Sequence, residues 1–162
     1  MISATDESDA SDRNAPKPIA AMRIVVDTSV LIRYLIKPSA AIRELIEVWW
    51  LGDRVQMITA PELIEELEQV LSRKGILAFI RVSEGQVLLE AIRLKGEMLP
   101  ALGTLPSYSR DPKDDKFIAC ALVGAASFVV TADEDLLILG EVGGVRMMTP
   151  YHFVALLKRP NP

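Results

Sequence analysis

The sequence predicts an α/β fold with a mostly parallel sheet covered on both faces. Short apolar runs alternate with longer segments of helical spacing, which is the pattern of β-α-β units. That alternation implies a sheet with helices on both faces. Two of the apolar runs end on an acidic residue, at the carboxyl edge where open parallel sheets bind ligands.

Arg23–Asp27 reads as the first strand and Ser39–Leu51 as a helix ending near Gly52. Val55–Thr59 is a second strand. Pro61–Arg73 is a helix with proline at its first position, where the missing N–H costs nothing. Ser83-Glu84-Gly85-Gln86 resembles a capping box opening a helix through about Lys95. Residues 96–110 are loop-rich, with a short strand or turn at Met98–Leu102. Asp111-Pro112 caps a further helix. The uncharged stretch from Phe117 to Ala132 reads as a buried helix followed by a buried strand, Phe128–Thr131. Val145–Met148 is another strand and Pro150–Leu157 a closing helix. No internal repeat is evident.

Bulk properties agree with one domain. The chain has 162 residues, half of them hydrophobic, enough for a sizeable core. Residues 1–20 are rich in Ser, Asp, Ala and Pro, lack an apolar period and read as a disordered leader; the domain is expected over 22–158. The leader carries neither the basic nor the apolar region of a secretory signal. The single cysteine, Cys120, cannot form an internal disulfide and fits a reducing cytoplasm. Net charge is −4, yet beyond residue 20 the chain holds 16 basic and 18 acidic residues. One or two bound cations would bring that domain to neutral or positive, so a phosphate-bearing substrate is compatible with the acidic balance.

Four acids stand out. Asp27 ends Ile24-Val25-Val26 and reads as a ligand at a strand tip; its alternative is a turn or N-cap aspartate. Glu66 borders the apolar face formed by Leu63, Ile64, Leu67, Val70 and Leu71, whereas Glu65 lies opposite it and Glu62 farther out, on a solvated face. Asp115 falls between Ile118, Ala119 and Leu122 on a helical wheel, and a carboxylate heading a buried face is costly without a cation. Its neighbour Asp111 is read as an N-cap, and Asp114 as holding a water beside the site or favouring the helix dipole. Asp133 and Asp135 follow the strand Phe128–Thr131. Both face one site if the chain is extended there; only one does if Asp133 caps a helix at Glu134–Leu139, and Asp133 is then preferred. Gathered carboxylates repel and lose solvation, and hard oxygen donors suit Mg²⁺ or Mn²⁺. The chain lacks a Walker loop and a Gly-x-Ser-x-Gly motif. Its one histidine, His152, lies in the last helix. Metal-activated water is therefore the simplest chemistry, and a phosphodiester enzyme the first reading.

These pieces, in order, resemble the PIN domain, in the bacterial branch of VapC-related toxin components of toxin–antitoxin pairs. The matching segments are Val25–Leu31, Ala60–Leu71, Arg110–Phe117, Val130–Leu137 and Val145–Pro150. Departures are Ser29, where asparagine is more usual, and Ala132, where glycine is frequent. The resemblance implies a three-layer α/β/α sandwich around about five parallel strands. It also implies a Mg²⁺- or Mn²⁺-dependent endoribonuclease acting on single-stranded RNA, a cognate antitoxin partner and a homodimer. It sets the catalytic, metal-binding acids on Asp27, Glu66, Asp115 and Asp133, with Asp135 as a further ligand. Two other classes stand beside this one. A PIN-like module would bind RNA or an antitoxin around a structural ion without cutting. A small-molecule phosphohydrolase would use a similar cluster, although the Asp-x-Asp-x-Thr signature of aspartyl-phosphate chemistry is absent after the first strand.

Overall fold

The computed structural model describes residues 22–160; the leader 1–20 lies outside them. The order is β1 (Met22–Val26), α1 (Thr28–Ile36), α2 (Ala40–Glu44), a π-helical segment (Leu45–Trp50), β2 (Val55–Thr59), α3 (Pro61–Leu71), α4 (Lys74–Leu77), α5 (Val82–Lys95) and β3 (Glu97–Met98). A 3₁₀ turn (Pro112–Asp114), α6 (Asp115–Val123), β4 (Phe128–Val130), α7 (Glu134–Leu137), β5 (Glu141–Val142), β6 (Val145–Met148) and α8 (Pro150–Leu157) follow. The strands form one six-stranded sheet in the order β3-β2-β1-β4-β6-β5. All neighbours are parallel except β5, which pairs antiparallel with β6.

The period-2 geometry of the strands divides the core into two layers. Ile24, Val26, Met57, Phe128 and Val130 face one side, against α1, α2, α3, α5 and α8 through Val30, Ile42, Leu67, Ile92 and Phe153. Val25, Ile58, Val129, Val145 and Met147 face the other, against α6 and α7 through Phe117, Ile118, Cys120 and Leu136. The expected three-layer α/β/α sandwich is the observed one.

Several local expectations change. Residues 28–36, which carried no assignment from the sequence, form α1. Asp27 caps it, its Oδ1 accepting from the Ser29 N–H at 3.2 Å. The apolar run through Leu31 hides this boundary, because a strand passes directly into a helix. The helix expected over 39–51 begins on the Ser39 cap, whose Oγ accepts from the Ile42 N–H at 3.2 Å. It then widens into the π segment, which buries Leu45, Ile46 and Trp50. The capping box lies two residues earlier than expected. Glu84, not Gln86, reaches back to accept from the Arg81 N–H at 2.8 Å, so Ser83 sits inside the first turn of α5. The short β5 escaped notice; Gly143 and Gly144, at φ 56° and 85°, make the hairpin turn that joins it to β6.

Gly124 closes α6 with an ordinary φ of −82°, so space rather than conformation requires it. A Cβ there would lie 2.5 Å from Ile58 Cγ2 and 3.0 Å from the Cys120 carbonyl oxygen. Gly124→Ala is expected to lower stability by about 1–3 kcal/mol through overpacking, read as a lower denaturant midpoint at unchanged m-value. No helix among the described residues is long and apolar enough to cross a membrane.

Candidate active site

The sheet's register brings the ends of β1 and β4 side by side. The Asp27 N–H donates to the Val130 carbonyl at 2.9 Å, and the Thr131 N–H to the Met148 carbonyl at 2.9 Å. Asp27 is therefore fixed at the carboxyl edge, buried at 5% exposure. Its Oδ2 accepts from Thr131 Oγ1 at 2.7 Å and from Ser29 Oγ at 3.0 Å. Burial raises its pKa above the usual carboxylate value; the hydrogen bonds from Thr131 and Ser29 work against this rise, and the charge of Glu66 adds to it.

Thr131 is fully buried and joins two of the acids. While donating to Asp27, its Oγ1 accepts from the Asp133 N–H at 2.9 Å. Asp133 in turn caps α7, with Oδ1 accepting from the Asp135 N–H at 2.8 Å. Capping does not remove either acid from the site. Carboxylate oxygens of Asp114, Asp133 and Asp135 lie within 4.8 Å of one another, so the expected choice between Asp133 and Asp135 does not arise.

Asp114 enters this group from the 3₁₀ turn ahead of α6. It is buried, and its Oδ2 has no hydrogen-bond partner. Burial, followed by the charges of Asp133, Asp27, Asp111 and Asp135, pushes its pKa up to about 7. Charge coupling to both Asp133 and Asp27 ties the two strand ends and the helix start into one acidic centre.

Glu66 stands at the border of this centre. One carboxylate oxygen accepts from Thr28 Oγ1, and the other lies 2.8 Å from Lys116 Nζ. Lys116 is the first cation on α6, so α1, α3 and α6 meet at Glu66. A second cation, Arg110, lies 2.9 Å from Asp135 Oδ1 at the exposed rim.

A cation fits the donor set. Asp114 Oδ2 is a buried acceptor without a donor, a condition that native proteins rarely leave uncompensated. Its neighbours in space are also carboxylates, which have no proton to offer when ionised. Such all-oxygen donors suit Mg²⁺ or Mn²⁺.

A family model described as PIN domain matches residues 23–135, well over half of the chain. The chain belongs to the PIN domain family. Its fold is similar to that of VapBC2 from Rickettsia felis, solved bound to a DNA fragment from their promoter. The TM-score is 0.54 at 12% identity, covering 79% of this chain and 98% of that one. FitAcB from Neisseria gonorrhoeae gives 0.49 at 17% identity, covering 80% and 99% of the two chains. The PIN domain of human SMG5 gives 0.47 at 17% identity, covering 84% and 99%. The likeness to VapBC2 is one of fold. No curated protein sequence matches the chain.

Within this PIN domain the carboxylates of Asp133 and Asp135 meet that of Asp114, whereas Asp27, Glu66 and Asp115, which the sequence also pointed to, lie outside that group of three. Asp115 is buried on α6, as its place on the helical wheel indicated, but it does not join the other acids. Its Oδ1 accepts from the N–H groups of Tyr108 and Ser109 at 3.0 and 2.8 Å and from Ser109 Oγ at 2.9 Å. A loop supplies three donors to this one oxygen. Asp114 occupies the place intended for Asp115, because the chain is still in a 3₁₀ turn there and a wheel drawn at α spacing does not extend to it. Glu62 also departs from expectation: instead of facing solvent, its Oε1 accepts from the Leu102 N–H at 2.7 Å. Thr28 and the pairing of Lys116 with Glu66 carried no signal beyond their adjacency to the motifs.

Proposed function

We propose that this PIN domain is a divalent-metal-dependent endoribonuclease, the toxin of a toxin–antitoxin pair. One observation carries the reading: the unpartnered, buried Asp114 carboxylate facing Asp133 and Asp135, with Asp27 close enough to raise its pKa. Asp27, Asp114, Asp133 and Asp135 would hold Mg²⁺ or Mn²⁺. Such an ion lowers the pKa of bound water and offsets charge on the phosphate oxygens. Thr131 fixes the oxygen of Asp27 and the backbone of Asp133 together, which sets the spacing of the donors. Glu66, held between Thr28 and Lys116, would orient the attacking water and take its proton. Water adds to phosphorus, and the P–O bond to the leaving oxygen breaks.

The antitoxin reading has support in the surface. A groove of about 320 Å³ lies between α1, the π segment and α5, lined by Tyr34, Leu35, Trp50, Val87 and Leu88. Val87 there is 66% exposed, so apolar area is left for an apolar partner face. A homodimer and a cytoplasmic location belong to the same proposal.

Purified protein is expected to cleave single-stranded RNA with Mn²⁺ or Mg²⁺, to stop on chelation and to recover when Mn²⁺ is returned. Cleavage that persists in the chelator contradicts the metal chemistry. Metal binding with no cleavage of any RNA supports the non-catalytic module instead.

A further inference from the structure

Asp115 and Arg110 share a device that the acidic centre alone does not require. Asp115 gathers the N–H groups of Tyr108 and Ser109 and the Ser109 hydroxyl on a single oxygen. One residue farther along, the Asp111 side chain accepts from the Lys113 N–H at 3.0 Å. The Arg110 backbone is thus held from both sides, while its side chain is 70% exposed and reaches Asp135 Oδ1 at 2.9 Å. Exposed ion pairs of this kind are weak and exchange partners readily. Asp135 also belongs to the carboxylate group suited to a cation, and an ion there would compete with Arg110 for its charge. A guanidinium matches a phosphate in a planar, two-pronged geometry.

We infer that Arg110 binds a phosphate of the RNA strand beside the reacting bond, that Asp115 positions it there, and that Asp135 holds it until a metal ion takes that carboxylate. The inference rests on the nuclease reading of the site. It makes Asp115 a positioning residue and not a metal ligand.

The test uses full-length protein. Binding of a fluorescein-labelled single-stranded RNA is followed by anisotropy over a salt series, with Ca²⁺ in place of Mn²⁺. Mn²⁺ binding is measured separately by calorimetry without RNA. Arg110→Ala is expected to weaken RNA binding about tenfold and to reduce the salt slope by about 0.7, the share of one single-strand phosphate. The same variant should bind Mn²⁺ about two- to fivefold more tightly, because a weak competing ion pair is gone. Asp115→Ala should weaken RNA binding as Arg110→Ala does, and the double variant should be no weaker than either. Asp115→Asn, which keeps the accepting oxygen, should restore most of the RNA affinity and retain Mn²⁺ binding. Unchanged RNA affinity and salt slope in Arg110→Ala, or looser Mn²⁺ binding, would overturn the proposal. A wild-type protein that fails to cleave RNA with Mn²⁺ contradicts the nuclease reading instead, and leaves both binding measurements able to judge Arg110.

Discussion

Asp114→Asn is expected to abolish metal-dependent RNA cleavage, by about 10³-fold or more, while making the metal-free protein more stable at pH 8. The two effects have one cause. Asp114 has a folded-state pKa of about 7 because it is buried and surrounded by Asp133, Asp27, Asp111 and Asp135. An unfolded aspartate ionises near 3.8. Between those values the folded chain holds a proton that the unfolded chain has released, so stability falls as pH rises from about 4 to 7. Above pH 7 the charged carboxylate is present in full and the penalty is greatest. Asparagine removes it and can donate to the neighbouring carboxylates. With allowance for screening at the open rim, the gain at pH 8 is on the order of 1–2 kcal/mol, or roughly 2–8 °C in Tm, and it vanishes below about pH 4. Thermal denaturation in chelator at several pH values reads this directly. A variant that keeps cleaving, or that is destabilised at pH 8, does not fit the account.

Thr131→Val is expected to cost about 2–4 kcal/mol despite its nearly unchanged shape. The hydroxyl donates to Asp27 Oδ2 at 2.7 Å and accepts from the Asp133 N–H at 2.9 Å, in a position with no exposure to solvent. Valine leaves the half-buried Asp133 N–H without an acceptor and takes from Asp27 a bond that favours its charged form. The loss should therefore be larger at pH 7 than in acid, because the raised pKa of Asp27 favours its neutral form as pH falls and that form needs less help. Cleavage should fall as well, because the spacing of Asp27 and Asp133 depends on this side chain. Ser29→Ala, which removes a longer bond to the same carboxylate, should cost less. Urea denaturation of the two variants at both pH values tests the ordering; equal stability of Thr131→Val and wild type would remove Thr131 from the site's framework.

Much of the fold was legible because it rests on patterns that survive without tertiary information. The short, β-branched- and Met-rich runs of β1, β2, β4 and β6 read as strands from composition and length, and proline marks the starts of α3 and α8. What escaped depended on transitions. Helix α1 follows β1 with Asp27 as its only boundary, β3 begins one residue ahead of the short strand or turn expected at Met98–Leu102, and β5 is a two-residue pairing with the adjacent β6. The site was legible to the same degree. Asp27, Asp133 and Asp135 follow strands, and a strand tip points where the sheet dictates. Glu66 followed from helical spacing, which holds throughout α3. The choice between Asp114 and Asp115 could not follow from spacing. It turns on where a 3₁₀ turn becomes an α-helix, and on a loop that supplies three donors to one carboxylate. Asp115 is buried as its place on the wheel indicates, and backbone N–H groups supply donors to it that spacing alone does not reveal.

Asp114, rather than its neighbour, is the acid proposed to complete the metal centre. Calorimetric titration of Mn²⁺ into wild type, Asp114→Asn and Asp115→Asn tests this without reference to any substrate. Binding should be lost or weakened at least about a hundredfold in Asp114→Asn, the outcome for a buried ligand, and should remain close to wild type in Asp115→Asn. The reverse ordering, with Asp115→Asn losing the ion and Asp114→Asn keeping it, would contradict the account.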